Sequence, residues 1–248
     1  MKQLNLTEVT AYVNETIVDF HSQRIKSLEG LSLDKLLRKN PYLFRAKNLT
    51  TANDLISSLL DAFLSSSEEK LFGDFLEDLA VFVAGKTCDG HKSASQGVDF
   101  EFIHESVHYV VSVKSGTNWG NSSQQDKLEQ DLRRAVTRVK QSRHGANVQP
   151  VLGICYGKTK TTYVRGYLKV VGQNFWYLIS HNAALYTDIV EPIGHRAKKH
   201  NDAFRDERDR VVNRFTKEFI VRFCDPSGAI NWVKLVEFNS GNLDLRND

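Results

Sequence analysis

The hydrophobic period of this chain changes near residue 97, and that change restricts what the chain can fold into. Val98, Phe100 and Phe102 alternate with Asp99, Glu101 and Ile103, and a polar turn follows at His104-Glu105-Ser106. The next stretch, Val107 to Lys114, is rich in β-branched and aromatic residues. The pattern predicts two antiparallel strands joined by a tight turn. Upstream, Val9, Tyr12, Val13, Ile17, Phe20 and Ile25 recur at helical spacing. Two further helical runs are expected over about 53–64 and 67–84, with a stop at Gly85. Downstream, a Gly/Asn/Ser loop over 115–123 leads to a charged amphipathic helix over about 124–141 and a buried strand over 148–156. A strand within 162–171 and helices over 175–179, 183–190 and about 201–223 follow. The expected architecture is one α/β domain: a helical extension over 1–66, a core over 67–157 and a mostly helical extension over 158–248.

The three cysteines, Cys88, Cys155 and Cys224, are widely spaced and give neither a disulfide framework nor a zinc pattern. A reducing compartment is the simplest expectation. The first residues lack the apolar run of a signal peptide, and no apolar stretch is long enough to span a bilayer. A soluble cytoplasmic protein without membrane contact is therefore expected. The formal net charge of +3 suits a polyanionic partner without requiring one.

The residues that can carry chemistry gather on the predicted hairpin. Asp99 and Lys114 lie on neighbouring strands near its open end. Asp99 and Glu101 share one face of the first strand, and Ser112 and Lys114 share one face of the second. Glu77 lies on the preceding helix, one turn after Gly73, which leaves room for a close neighbour. Carboxylates can hold a hard divalent cation, which stabilises charge on a phosphate and acidifies a bound water. A nearby lysine can orient that water and offset developing charge. An Asp and a Lys on adjacent strands are more often a solvated cross-strand pair, so spacing alone decides little.

Longer text adds to the spacing. Gly97-Val98-Asp99 followed by Ser112-Val113-Lys114-Ser115-Gly116 resembles the PD-(D/E)XK nuclease signature. The wider chain resembles the PmeII-like type II restriction endonucleases in Lys39 to Asn48, Phe72 to Glu77, Asn118 to Gln124, Gly172 to Trp176 and Glu191 to His195. The resemblance implies a restriction-endonuclease-like core of helix, antiparallel hairpin, helix and strand. It makes Asp99 the metal-binding aspartate, Lys114 the signature lysine, and Glu77 the acid supplied by the first core helix. The carbonyl of Val113 would complete the metal shell. Ser112 departs from the pattern, because it holds the place of the second acid. The missing acid is then Glu77 or Glu101.

The implied activity is Mg²⁺-dependent cleavage of double-stranded DNA at a short sequence, leaving 3′-hydroxyl and 5′-phosphate ends. A homodimer matches a palindromic site, and a cognate DNA methyltransferase completes such a system. Candidate DNA contacts are Asn118, Asn121 and Gln124 after the hairpin, and Arg134 and Arg138 on the basic helix. Each has a plainer reading: Asn118 to Asn121 as an ordinary connecting loop, Gln124 as a first-turn residue behind a cap at Asn121, Ser122 or Ser123, and the arginines as a solvated face. Two rival functions are a structure-specific repair or junction-resolving nuclease and a non-catalytic DNA-binding protein on a decayed nuclease fold.

Overall fold

A computed structural model describes residues 1–243. Helix α1 (Leu6–Glu29) is followed by the short α2 (Leu33–Leu36) and α3 (Pro41–Ala46) and the long α4 (Ala52–Cys88). Then come β1 (His91–Lys92), β2 (Phe100–His104), β3 (Val107–Lys114), α5 (Ser122–Ser142), β4 (Asn147–Ile154), β5 (Thr162–Val164) and β6 (Tyr167–Val171). Helices α6 (Gln173–Ser180), α7 (Leu185–Asp188), α8 (Val190–Ile193), α9 (Ala197–Phe223) and α10 (Trp232–Ser240) complete the chain. It divides into two compact units. One holds residues 1–20 and 72–195, and the other holds residues 21–71 with those from 196 onward.

The first unit is built on a mixed six-stranded sheet in the order β1-β2-β3-β4-β6-β5. Pairings β1–β2, β2–β3 and β5–β6 are antiparallel, whereas β3–β4 and β4–β6 are parallel. One face packs Phe100, Phe102, Val111, Val113 and Val151 against Phe75, Leu76, Leu79 and Val83 of α4 and against Phe175 and Trp176 of α6. The other packs Val110, Leu152 and Ile154 against Leu128, Leu132, Ala135 and Val139 of α5. Helices on both faces explain why Val110 and Val111 can be consecutive: each points into a different core. Both are fully buried, contributing about 2 kcal/mol apiece.

The second unit is helical. Its core includes Leu28, Leu33, Leu36, Phe44, Leu55, Ile56, Leu60, Phe215, Phe219 and Phe223. Arg222 pairs with Asp34 at 2.7 Å, and the Arg24 guanidinium sits 3.8 Å from the centre of the Phe204 ring.

Several element boundaries differ from the sequence expectation. The two helices expected over 53–64 and 67–84 are one continuous helix, α4. Its serine run carries on the helix, with the Ser66 hydroxyl bonded to the Ala62 carbonyl. Serine costs only a fraction of a kcal/mol relative to alanine, and an interior glycine about 1. Buried Leu59, Leu60 and Leu64 before the run, and Phe75, Leu76 and Leu79 after it, outweigh that cost. The single strand expected over 162–171 is a hairpin, β5–β6, turned at Arg165 (φ 50°) and Gly166 (φ 84°). The helix expected over 183–190 is two short helices, α7 and α8. The sheet thus runs past residue 157, and α10 is an element the sequence pattern did not suggest.

Candidate active site

Asp99 sits immediately before β2, where the β2–β3 ladder runs out. Its amide donates to the Val111 carbonyl at 2.9 Å, so the main chain is still paired there. Further pairing is taken over by the side chain: Asp99 Oδ2 accepts from the Val113 amide at 2.5 Å and from the Ser112 hydroxyl at 3.3 Å. A carboxylate replaces a main-chain acceptor and is fixed in place by doing so. Two residues earlier, Gly97 has φ +73°, and a Cβ there would fall 2.4 Å from the carboxylate of Asp131 on α5. Glycine is required on both counts.

Lys114, the last residue of β3, is half-buried. Its Nζ donates to the Val113 carbonyl at 2.7 Å and lies 5.8 Å from the centre of the Trp119 ring. Glu77 reaches the same place from α4. Its carboxyl is pushed up to about 7, chiefly by burial and then by the Asp99 charge; Lys114 acts in the opposite direction, and a hydrogen bond shared with Asp99 adds to the rise. The Asp99 charge thus favours the uncharged form of Glu77, and a cation held between them would offset that repulsion. Beneath them the buried Cys155 thiol is held far above its ordinary range, by burial first and by Glu77 and Asp99 second. Gly73 faces Ser115, and a Cβ there would meet the serine side chain at 3.6 Å, an ordinary contact. Space alone therefore does not demand glycine at that position.

The structure brings together Glu77, Asp99, Lys114 and the Val113 carbonyl, and leaves Glu101 elsewhere. Glu101 is nearly inaccessible on the α5 side of the sheet. Its Oε2 lies 2.8 Å from His108 Nε2, and its Oε1 takes the Ser93 hydroxyl and the Arg138 guanidinium. Burial raises the Glu101 carboxyl, but these partners outweigh it and hold the group below its usual value. Arg138 therefore carries a structural pairing, although its side chain is 44 % exposed. Arg134 is exposed and 3.7 Å from Asp131, and Arg133 pairs with Glu129 at 2.7 Å.

Asn121 caps α5: its side chain accepts from the Gln124 amide at 3.1 Å, and the Gln124 side chain accepts from the Asn121 amide at 2.9 Å. This reciprocal capping box uses the acceptor oxygen of both side chains. Gln124 also lines a cleft of about 390 Å³ together with Ser112, Lys114, Trp119, Lys127 and Asp131. Asn118 is exposed in the loop beside it. Sequence reasoning missed the supporting role of Ser112 and the ring of Trp119 beneath Lys114. Strand register is the signal that could have found Ser112, since Phe100↔Val111 pairing puts Asp99 opposite it.

The oxygens of Glu77, Asp99 and the Val113 carbonyl could hold a hard divalent cation that keeps part of its water shell. Among the described residues no group of three or more His, Cys, Asp or Glu could hold a metal, so a closed zinc-type site does not fit. No helix among them is long and apolar enough to cross a membrane. A family model described as type II restriction endonuclease EcoO109I matches residues 7–201, a span that includes Glu77, Asp99 and Lys114. No curated protein matches the chain.

Proposed function

Because the chain belongs to the type II restriction endonuclease EcoO109I family, we propose that it is a Mg²⁺-dependent endodeoxyribonuclease of the PD-(D/E)XK class, akin to the PmeII-like enzymes. Its substrate is double-stranded DNA carrying a short specific sequence. The observation that carries this reading is the meeting of Glu77 and Asp99 at the end of β3 beside Lys114. Glu77 supplies the charge that Ser112 cannot.

In this reading Glu77, Asp99 and the Val113 carbonyl would hold Mg²⁺. When bound, the ion supplies charge stabilisation at the phosphate and a more acidic water. Ser112 and the Val113 amide keep Asp99 aimed into the site. Lys114, swung from the Val113 carbonyl, orients the attacking water and meets charge growing on the phosphate oxygens. The water gives up a proton to solvent as its oxygen bonds to phosphorus, the bond from phosphorus to the 3′-oxygen breaks, and that oxygen takes a proton from solvent. The products are a 3′-hydroxyl and a 5′-phosphate. A homodimer would match a palindromic site, and a methyltransferase of the same specificity would protect host DNA.

Plasmid digestion tests the reading. Discrete fragments are expected with Mg²⁺ and none with the ion chelated, and sequencing the fragment ends gives the recognition site. Random nicking, or cleavage only at branched DNA, would point to a repair or junction-resolving nuclease. Binding without cleavage under any divalent ion would favour a non-catalytic DNA-binding protein, the reading that Ser112 in place of an acid supports.

A further inference from the structure

Strands β3 and β4 run parallel, with Lys114 beside Ile154, so the segments leaving them emerge at one edge of the sheet. Ligands of α/β sheets gather outside the carboxyl ends of such strands. The segment leaving β4, residues 155–161, is fixed at its base to the segment that follows Lys114. The Cys155 amide donates to the Lys114 carbonyl and the Tyr156 amide to the Ser115 carbonyl, both at 2.9 Å. The Tyr156 ring covers Gly116, where a Cβ would come within 2.5 Å of the ring and its hydroxyl. Gly157 packs against Thr117. At the far end the Asn174 side chain donates to the Thr161 hydroxyl at 3.0 Å.

Above this fixed base, residues 156–160 are all exposed. Lys158 and Lys160 have no ion-pair partner among the described residues. In the same unit Arg133, Arg138 and Arg165 are each paired, with Glu129, Glu101 and Asp126. The sheet unit thus neutralises these arginines on the α5 side, whereas Lys158 and Lys160, like Lys127 in the cleft that Lys114 lines, have no ion pair among the described residues, and they ride on the segment whose base is bonded to Lys114 and Ser115.

We propose that Lys158 and Lys160 form a phosphate-binding loop that grips the sugar-phosphate backbone next to the scissile phosphate, with Tyr156 tying the loop to the chain after Lys114. The inference rests on the nuclease reading above. Lysine is a flexible point charge without the planar fork that reads base edges, so the contact is to phosphate and carries no sequence preference.

The test is equilibrium binding of the full chain to a fluorescent random-sequence duplex, with Ca²⁺ to suppress cutting, over a range of salt concentrations. The doubly substituted Lys158→Ala, Lys160→Ala protein should bind more weakly, and its log–log salt slope should shrink by roughly two. The Lys158→Arg, Lys160→Arg protein should keep the wild-type slope. Melting curves check that both variants fold, as exposed loop changes should allow. If the alanine variant keeps the wild-type affinity and slope while the wild type cuts plasmid DNA with Mg²⁺, the loop proposal falls and the nuclease reading stands. Weaker binding with an unchanged slope would also overturn it, because the loop would then act through shape and not charge. A wild type that neither binds nor cuts DNA overturns both.

Discussion

The Ser112 hydroxyl donates to the Asp99 oxygen that also takes the Val113 amide. In the nuclease reading, the position that would carry the second acid of the signature thus holds a group that steadies the first. Ser112 is almost wholly inaccessible. Ser112→Ala should cost about 1 kcal/mol, the scale of one hydrogen bond. Ser112→Asp should cost more, because a second buried carboxylate would lie against Asp99 with no cation to offset it. Urea midpoints compare the two. An aspartate variant as stable as wild type would mean that Ser112 is not a supporting donor.

Glu77 and Glu101 should separate cleanly. Glu77→Gln keeps shape but loses charge, and should lower Mg²⁺-dependent cleavage by at least roughly a hundredfold. Above the pH of about 7 to which its carboxyl is pushed up, the metal-free Gln variant should be at least as stable as wild type, because like-charge repulsion is gone. Glu101→Gln should do the opposite. It leaves Arg138 and His108 without a counter-charge and should cost about 2 kcal/mol, less than a fully buried pair because Arg138 is partly in solvent. Full cleavage by Glu77→Gln would remove Glu77 from the site, and lost cleavage in a folded Glu101→Gln protein would bring Glu101 into it.

Lys114→Ala should lower cleavage by at least roughly a hundredfold, the scale of losing one acid–base or electrostatic group. Binding in Ca²⁺ should change little, since many other contacts hold the duplex. Wild-type cleavage rates in the alanine variant would show that the reacting phosphate sits elsewhere.

How much of this was legible before the structure depends on which force set each feature. The hairpin follows from side-chain alternation, and the turn at 105–106 falls where the pattern breaks. That Asp99 and Lys114 come from the ends of neighbouring strands needed only strand order. The fate of Glu101 did not follow. Alternation puts it on the same face as Asp99, but only packing shows that α5 covers it with Arg138. The continuity of α4 was hidden because local propensity suggests a break at the serine run, whereas burial on both sides overrides it. The cap of α5 was readable only in outline, since Asn121, Ser122 and Ser123 could each have filled that place and only the structure pairs Asn121 with Gln124.

A pH dependence should come from the helical unit. His21 stacks on His200 with ring centres 4.5 Å apart. Its imidazole is pushed down to about 4, by burial first, then by the His200 and Arg24 charges. The unfolded chain takes up this proton near 6.5 and the folded chain only near 4. Stability from this group is therefore complete above pH 6.5 and is lost as pH falls towards 4, by up to about 3 kcal/mol. Chemical denaturation across that window should show a shallower decline in His21→Gln than in wild type. Parallel curves would mean that His21 is already protonated in the native protein.

The turn between β2 and β3 is a two-residue loop, Glu105-Ser106, with both residues in the left-handed region at φ 48° and 63° and neither of them glycine. Asn-Gly would suit it better, so Glu105→Asn and Ser106→Gly should be tolerated, whereas proline or a β-branched residue should not. Length is another matter. A one-residue slip between the strands would turn Asp99 to the opposite face of the sheet and take its carboxylate away from the Val113 amide. The loop should therefore not gain or lose a residue without a compensating bulge. An insertion scan should find it as intolerant as Lys114.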